Sequence, residues 1–208
     1  MISPVDFGAL YDAHPEYVAR RRVCSFEQAQ IDIEVMLFKM PQLLTVWPEA
    51  RAARSTLEIG CATGELLAAM PIAEGGRKVD IDISASNVAV AAERHPGIEF
   101  RCCDFRTQAS ETFDIVILSD VLEHVPDDRE FLRDAAALAD VVLLNLPLED
   151  NWLNSGRRYG PDDVSGHLRR YCLADGFALV AAAGLEVLGQ NRAWVHESPA
   201  AAAQGTPT

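Results

Sequence analysis

Residues 57–64 read Leu-Glu-Ile-Gly-Cys-Ala-Thr-Gly, an apolar run that ends in a turn of small residues. The helical pattern GELLAAM begins directly after this turn. Gly60 permits a tight turn or a positive φ, Ala62 keeps the backbone accessible, and Gly64 allows the helix start to pack closely against a ligand. The stretch therefore predicts a strand, a glycine turn and a helix arranged around a bound nucleotide.

From residue 54 onward, short β-branched apolar runs alternate with longer helical patterns. The strand-like runs are STLEIG, KVDIDIS, IEFRCCDF, FDIVILSD and DVVLLNLP. Such alternation is typical of a parallel sheet whose crossover connections are helices. The expected fold class is α/β, a Rossmann-like, doubly wound, mostly parallel sheet with helices on both faces.

The same pattern divides the chain into three parts. Residues 1–53 have mixed apolar spacing and are expected to form a helical cap that could lie over the carboxyl edge of the sheet. Residues 54–198 should form the Rossmann-like domain, and residues 199–208 lack the apolar content to fold. Residues 185–188 and 193–196 read as short final strands, so a seventh antiparallel strand is expected to be truncated.

The composition is that of an ordinary globular protein, with 49% hydrophobic and 24% charged residues among 208. Asp and Glu number 31 against 18 Lys and Arg, which gives a net charge of −13. Such a surface should repel phosphate backbones and anionic lipid, so we expect no nucleic acid or membrane partner. The five cysteines show no CxxC spacing, and no signal peptide is visible, which predicts a reduced, cytoplasmic protein.

Asp82 ends the second strand-like run, 22 residues after Gly60. In Rossmann-type folds an acid about 20 residues beyond the glycine turn meets the ribose. A carboxylate there can accept hydrogen bonds from both ribose hydroxyls. Asp80 lies on the same strand face and competes for this role, and a solvated strand-end carboxylate is the non-functional alternative.

The run FDIVILSDVLEHVPD, residues 113–127, is the most informative stretch of the chain. It closely resembles the fourth-strand motif of class I small-molecule methyltransferases, which use S-adenosylmethionine (SAM). The turn at residues 58–64 resembles the E/DxGxGxG signature of the same family, with Ala62 in place of the middle glycine. Four ordered motifs over residues 57–127 carry the resemblance, which extends more loosely to about Leu188.

The resemblance implies that residues 54–198 are a SAM-binding methyltransferase domain, with S-adenosylhomocysteine as its product. The expected reaction is methyl transfer to an O or N atom of a small-molecule acceptor. In this family Asp104 would accept from the adenine amino group, Phe105 would pack on the ring, and Ser119 would border the methionine part. The full set of cofactor-binding residues that the resemblance implies is Glu58, Gly60, Cys61, Gly64, Asp82, Ile83, Asp104, Phe105 and Ser119.

Asp120, Glu123 and His124 form a DxxEH cluster at the carboxyl end of a central strand, where open α/β sheets bind ligands. His124 and Asp120 are the candidate catalytic residues, since a neutral imidazole with a pKa of about 6.5 can accept a proton. A base is not obligatory, because positioning the nucleophile opposite the sulfonium sulfur also drives methyl transfer. A structural histidine that caps the next turn is the remaining alternative.

The cluster also resembles the divalent-metal site of ubiquinone-pathway O-methyltransferases and small-RNA 2'-O-methyltransferases. Here Asp120 replaces the first Glu, and His167 is the candidate distant ligand. Carboxylates favour a hard cation, whereas histidines favour manganese or zinc. Because the shorter Asp120 alters the ligand geometry, a metal is an open alternative that we do not favour.

Two other functions stay open from the sequence. An NAD-dependent oxidoreductase shares the strand, glycine turn and ribose acid, but its GxGxxG spacing is missing. A SAM-binding, non-catalytic subunit would keep the turn and the acid yet lack an acceptor cavity. Residues 147–170 read as a lid, a specificity loop or a solvated loop. We expect a monomer or a homodimer.

Overall fold

The structure, a computed structural model, describes residues 7–13, 18, 31–108, 111–160, 163 and 165–193. It contains a parallel sheet of five strands, which are β1 (Ser55–Ile59), β2 (Arg77–Asp82), β3 (Glu99–Cys102), β4 (Phe113–Ser119) and β5 (Ala139–Asn145). Their order is β3-β2-β1-β4-β5, and all neighbouring pairs are parallel. The predicted α/β class is confirmed, as is each of the five predicted strands.

Six α-helices accompany the sheet in the described part of the chain. They are α1 (Phe7–Ala13), α2 (Met40–Val46), α3 (Glu65–Ala69), α4 (Ala85–Arg94), α5 (Asp128–Ala136) and α6 (Leu173–Ala182). A π-helical turn (Val35–Lys39) precedes α2, and short 3-10 turns span Pro48–Ala52, Phe105–Gln108, Leu122–His124 and Trp152–Asn154. Helix α3 lies where the sequence predicts it, directly after the glycine turn, and α4 and α5 follow β2 and β4 as the alternation of strands and helices predicts.

Helices cover both faces of the sheet. On one face, Leu57 and Val116 of the central strands pack with Leu132 of α5 and Leu179 of α6. On the other face, a second buried cluster joins Ile115, Ile117 and Leu143 to apolar residues of α2, α3 and the π-helical turn. Because both faces are buried, the central strands are nearly continuous apolar runs.

The order of the strands places the crevice for a ligand. Successive connections run outward from β1 to β2 and β3, and then cross to β4 and β5. The order therefore reverses between the adjacent strands β1 and β4. In open α/β sheets a ligand binds at such a switch point, outside the carboxyl ends of the strands. The glycine turn after β1 and the DxxEH cluster after β4 both lie at this edge.

The predicted N-terminal cap packs in two places. Ile31, Val35 and Leu43 are buried against one face of the sheet rather than over its edge. Helix α1 lies at the carboxyl edge, where Asp12 accepts a hydrogen bond from the Ser86 backbone N–H at 3.1 Å. The division at residue 53 stays a prediction.

The predicted strand at residues 185–188 is wrong. This segment has no regular structure, and Leu188 is 62% exposed. Helix α6 ends just before Gly184, whose φ of +80° turns the chain away, and β5 pairs with β4 alone in the described sheet. Residues 194–196 of the other predicted strand and the tail 199–208 lie outside the described residues. None of the helices that the structure describes has the length and apolar character that a bilayer crossing requires.

Leu132 provides a test of the packing between α5 and the sheet, because its side chain is 0% exposed. We expect Leu132→Ala to lower the free energy of unfolding by about 2–5 kcal/mol, through lost burial and the cavity left behind. Urea denaturation measures this change. Leu188→Ala, on an exposed leucine, is the control and should change the stability by less than about 0.5 kcal/mol. Equal effects of the two substitutions would contradict the described core.

Candidate active site

A cavity of about 570 Å³ opens at the carboxyl edge of β1, β2 and β4. Residues at or after the ends of β1, β2, β3 and β4 line it, together with Gly8 and Tyr11 of α1 and Glu130 and Phe131 of α5. Seven of the eleven predicted site residues lie in its wall, and they are Gly60, Asp82, Ile83, Asp104, Phe105, Asp120 and His124. The fold thus brings most of the predicted site together around one space large enough for a small ligand.

The turn after β1 adopts a conformation that few residue types tolerate. Gly60 and Gly64 have φ values of +80° and +84°, and Ala62 between them has a φ of +49°. A Cβ atom on Gly60 would lie 2.7 Å from Cγ2 of Val121. The Gly60 N–H donates to the carbonyl of Ile81 at 2.7 Å, which fastens the turn to β2. Glycine at position 60 is therefore required both by the backbone angle and by the close approach.

Asp82 joins the glycine turn to the end of β2. Its Oδ2 accepts from the Ala62 N–H at 2.9 Å, and its Oδ1 accepts from the Ser84 N–H at 2.8 Å. The side chain lines the cavity and is largely buried. Burial raises the pKa of Asp82, and the backbone donors oppose that rise by stabilising the charged form. The Asn87 side chain is a third donor to this carboxylate, whose roughly four acceptor sites still allow it to accept from a ligand hydroxyl.

Asp80 lies two residues earlier on β2 and has different surroundings. It is 0% exposed, does not line the cavity, and neither of its carboxyl oxygens has a hydrogen-bond partner among the described residues. Burial and the nearby Glu58 raise the pKa of Asp80 well above its usual value. Of the two candidates for the ribose, only Asp82 faces the cavity.

Four predicted cofactor residues lie outside the cavity wall. Glu58 accepts from the Leu67 N–H at 3.0 Å, and burial raises its pKa to about 8. Cys61 is buried, and Ser119 accepts from the Asn145 amide at 3.3 Å.

Gly64 lies beside β3. A Cβ atom there would lie 2.9 Å from the ring of Phe100, so this glycine makes room for a side chain of β3, and its part in cofactor binding stays a prediction.

Asp104 and Phe105 line the cavity on the side of β3. The Arg106 guanidinium donates to both carboxylate oxygens of Asp104, through Nε at 2.9 and 3.1 Å. This contact lowers the pKa of Asp104 and keeps it charged. Phe105 is 2% exposed and packs edge-on against Phe131 at 4.8 Å. An acid and an aromatic ring are therefore adjacent here, as the sequence predicts.

Asp120 has a positive φ of +55° at the end of β4. Its Oδ1 accepts from the Asn145 amide at 3.0 Å, and its Oδ2 pairs with Lys39 Nζ at 2.8 Å. Burial alone would lower the pKa of Lys39, but the carboxylates of Asp120 and Glu34 raise it above its usual value. Sequence reasoning missed Lys39, because its surroundings carry no motif and nothing local links it to Asp120.

His124 lies in a group of four side chains. Its Nδ1 is 3.1 Å from the Gly166 carbonyl, and its ring stands edge-on to Tyr11 at 6.0 Å and to His167 at 4.7 Å. A carbonyl only accepts, so Nδ1 carries the proton and Nε2 is the ring nitrogen that can act as an acceptor. That nitrogen is 3.9 Å from Oε1 of Glu123.

Glu123 is fully buried, and neither of its oxygens has a hydrogen-bond partner within the described ranges. Burial, reinforced by Asp120, raises its pKa to about 8. One ligand atom each from Glu123, His124 and His167 lies within 4.8 Å of the others. A buried carboxylate without donors beside two imidazoles fits a divalent cation, whose charge would offset the cost of burial. Asp120 is not in this group.

The loop after β5 places His167 beside Glu123 and His124. The Leu168 N–H donates to the Glu123 carbonyl at 2.8 Å. Arg169 donates to the carbonyls of Leu122 and Pro126 at 2.9 and 2.7 Å. Residues 165–169 are thus tied to the turn that follows β4, and the loop forms part of the site.

Residues 57–140 match the family described as Methyltransferase domain. A ubiquinone biosynthesis O-methyltransferase of Parvibaculum lavamentivorans is 37% identical over 102 residues, which are 43% of this chain and 40% of that protein. One of a Bradyrhizobium species (strain ORS 278) is 41% identical over 103 residues, 46% and 40% of the two chains. Over residues 57–140 the chain is therefore similar to class I SAM-dependent methyltransferases. It spans about 40% of the length of these relatives.

Solved structures resemble the methyltransferase domain in fold. The magnesium protoporphyrin IX methyltransferase of Synechocystis PCC 6803, solved with bound S-adenosylhomocysteine, has a TM-score of 0.57 and 17% identity over 81% of this chain and 83% of that one. An O-methyltransferase family protein of Burkholderia thailandensis has a TM-score of 0.53 and 16% identity over 84% and 56% of the two chains. At these identities the likeness concerns the fold alone.

The turn after β1 is tested by Gly60→Ala. We expect a loss of about 1–3 kcal/mol in folding free energy, because alanine disfavours this φ and its Cβ meets Val121. Binding of S-adenosylhomocysteine should weaken as the turn shifts. Calorimetry and thermal unfolding measure the two effects. Gly97→Ala, at a glycine with open space around it, is the matched control. A Gly60→Ala protein indistinguishable from this control would refute the assigned geometry.

Proposed function

We propose that the chain binds SAM in the cavity between β1, β2 and β4 and transfers its methyl group to a small molecule. The observation that carries this proposal is the pair of contacts from the Ala62 and Ser84 N–H groups to Asp82. They hold one charged carboxylate in the cavity wall beside a glycine turn. This arrangement suits the two ribose hydroxyls of an adenosine and offers no cradle for a pyrophosphate.

The cofactor's adenine end is assigned to Asp104 and Phe105, and its methionine end to Asp120. The methionine part of SAM carries an ammonium and a carboxylate, and the Asp120–Lys39 pair supplies the opposite charges side by side. Both carboxylate oxygens of Asp120 already have a partner, Asn145 for one and Lys39 for the other. We assign the proton-accepting role to His124, and Asp120 stays a candidate catalytic residue at the end of β4.

His124 suits this role by its geometry. The Gly166 carbonyl fixes the proton on Nδ1 and leaves Nε2 to accept one. As the hydroxyl of an acceptor attacks the sulfonium methyl, its proton passes to Nε2, the carbon–sulfur bond breaks, and S-adenosylhomocysteine leaves. The curated relatives are named O-methyltransferases, which favours oxygen over nitrogen as the methylated atom. We propose a monomer or homodimer that acts in the cytoplasm.

Glu123, His124 and His167 support a second candidate for the chemistry, in which the group holds a divalent cation. A bound cation would polarise the acceptor hydroxyl and lower its pKa, so that no general base is needed. In that case His124 is a ligand through Nε2, and the cavity and its SAM site are unchanged. The buried Glu123 carboxylate without hydrogen-bond donors in the described structure favours this candidate.

Asp82 tests the cofactor site. We expect calorimetry to give a micromolar dissociation constant for S-adenosylhomocysteine and no binding of NAD. Asp82→Ala should weaken the binding by about 10–100-fold, since hydrogen bonds to a charged group are worth about 1.5–3 kcal/mol. Asp80→Asn, a neutral replacement on the same strand outside the cavity, should bind like the unchanged protein. Selective binding of NAD would eliminate the methyltransferase proposal and favour the oxidoreductase.

His124 tests the reaction. His124→Asn keeps a donor for the Gly166 carbonyl but removes the proton acceptor. We expect turnover of SAM with a panel of phenolic and hydroxy-acid acceptors to fall about 10²–10⁴-fold, while the affinity for S-adenosylhomocysteine changes little. Formation of S-adenosylhomocysteine, followed by chromatography, measures the rate. If His124→Asn retained full turnover, a structural role would replace the catalytic one. If the unchanged protein bound the cofactor without turnover, it would be a SAM-binding subunit.

A further inference from the structure

A buried network of ion pairs lies behind His167. His167 Nδ1 is 2.8 Å from Oε2 of Glu149, and the other oxygen of Glu149 accepts from the Arg157 guanidinium. Arg157 also donates to both oxygens of Asp163, at 2.8 and 2.6 Å. Glu149 and Asp163 are both largely buried. Arg157 therefore pairs with both Glu149 and Asp163, and Glu149 in turn contacts His167.

Asp163 shapes the turn on which His167 sits. Its Oδ1 accepts from the N–H groups of Ser165 and His167 at 2.9 and 3.1 Å. These backbone contacts set the path of the chain, whereas the Glu149 contact sets the rotation of the imidazole. Backbone position and ring orientation thus have separate supports, which makes the contribution of Glu149 measurable by itself.

The two histidines of the group are oriented in the same way. Arg157 already donates to Glu149, so Glu149 is the acceptor of the His167 Nδ1–H, as the Gly166 carbonyl is for His124. In both rings Nδ1 is occupied as a donor, and Nε2 keeps its lone pair. Histidines that bind metal ions are usually held in this manner, by a carboxylate or carbonyl behind the ring.

We propose that Glu149, held by Arg157, is a positioning residue that turns the free nitrogen of His167 toward Glu123 and His124 and so completes a three-ligand site for a divalent transition-metal ion. The proposal rests on the second candidate of the proposed function. Lys39 and Asn145 hold Asp120 apart from the group, which leaves one carboxylate and two imidazoles. Such a ligand set favours ions such as Co²⁺, Mn²⁺ or Zn²⁺ over Mg²⁺, which prefers oxygen ligands.

Titration with Co²⁺ tests this role without any need for activity. The visible absorption of bound Co²⁺ reports its coordination, and the change on titration gives the dissociation constant. Glu149→Gln should weaken Co²⁺ binding by about 10–100-fold. A glutamine can accept from His167 or from Arg157, but its amide NH₂ faces the other donor. Glu123→Gln, which removes a ligand, should abolish binding at the same concentrations.

Asp150→Asn, at the exposed carboxylate next in the chain, is the matched control and should bind Co²⁺ like the unchanged protein. Thermal unfolding of each variant identifies any that fails to fold. His167→Ala should bind as weakly as Glu149→Gln or more weakly, because Glu149 acts through this ring.

Three results would overturn the proposal. The first is an unchanged Co²⁺ affinity in a folded Glu149→Gln protein. The second is a complete loss of Co²⁺ binding in Glu149→Gln, equal to that in Glu123→Gln, which would make Glu149 a ligand. The third is the absence of Co²⁺ binding by the unchanged protein. Calorimetry with S-adenosylhomocysteine separates the two levels of inference. If the unchanged protein binds S-adenosylhomocysteine but not Co²⁺, the methyltransferase proposal stands and the metal proposal fails. If the unchanged protein does not bind S-adenosylhomocysteine, both proposals fail.

Discussion

The carboxylate of Asp82 is the point on which the cavity depends. It accepts N–H groups from Ala62 and Ser84, and so connects the turn after β1 with the end of β2. The same turn includes three residues with positive φ, of which two are glycines that adopt it readily and the third is Ala62, whose N–H donates to Asp82. Without the carboxylate, two backbone donors at the edge of the sheet would lose their acceptor. The residue that we assign to the ribose is therefore also the residue that shapes the turn.

The acids around this edge illustrate how surroundings decide the charge of a side chain. Glu58, Asp80 and Glu123 are buried with few or no hydrogen-bond donors, and burial raises the pKa of each. Asp82 is also buried but receives two N–H groups that stabilise its anion. Asp82 is thus the acid of this group whose anion is stabilised by backbone donors in the cavity wall, while the acids behind it lack such donors or have fewer of them. Glu123 is the one for which two imidazoles are near enough to hold a cation.

The loop after β5 links the two halves of the site. Leu168 and Arg169 donate hydrogen bonds from this loop to backbone carbonyls within residues 122–126. Arg157 of the same loop pairs with the carboxylates of Glu149 and Asp163. His167 stands between these two sets of contacts. A loop that the sequence presents only as irregular and rich in arginine is thereby a structural support for the end of β4.

Much of the fold was legible in the sequence, because strand and helix periodicity are local properties and the five apolar runs each had the length of a buried strand. The sequence also predicted that three features lie at one edge of the parallel sheet, because each follows a strand. These features are the glycine turn, Asp82 and the DxxEH cluster. The strand predicted at residues 185–188 is absent because an apolar run becomes a strand only when the chain brings it alongside a sheet edge, and Gly184 turns the chain away from the open edge of β5. Tertiary structure alone decided the Lys39–Asp120 pair, the role of Gly64 beside Phe100 and the approach of Glu149 to His167. Each of these joins side chains whose separation is set by how the elements pack, and no local pattern encodes that distance.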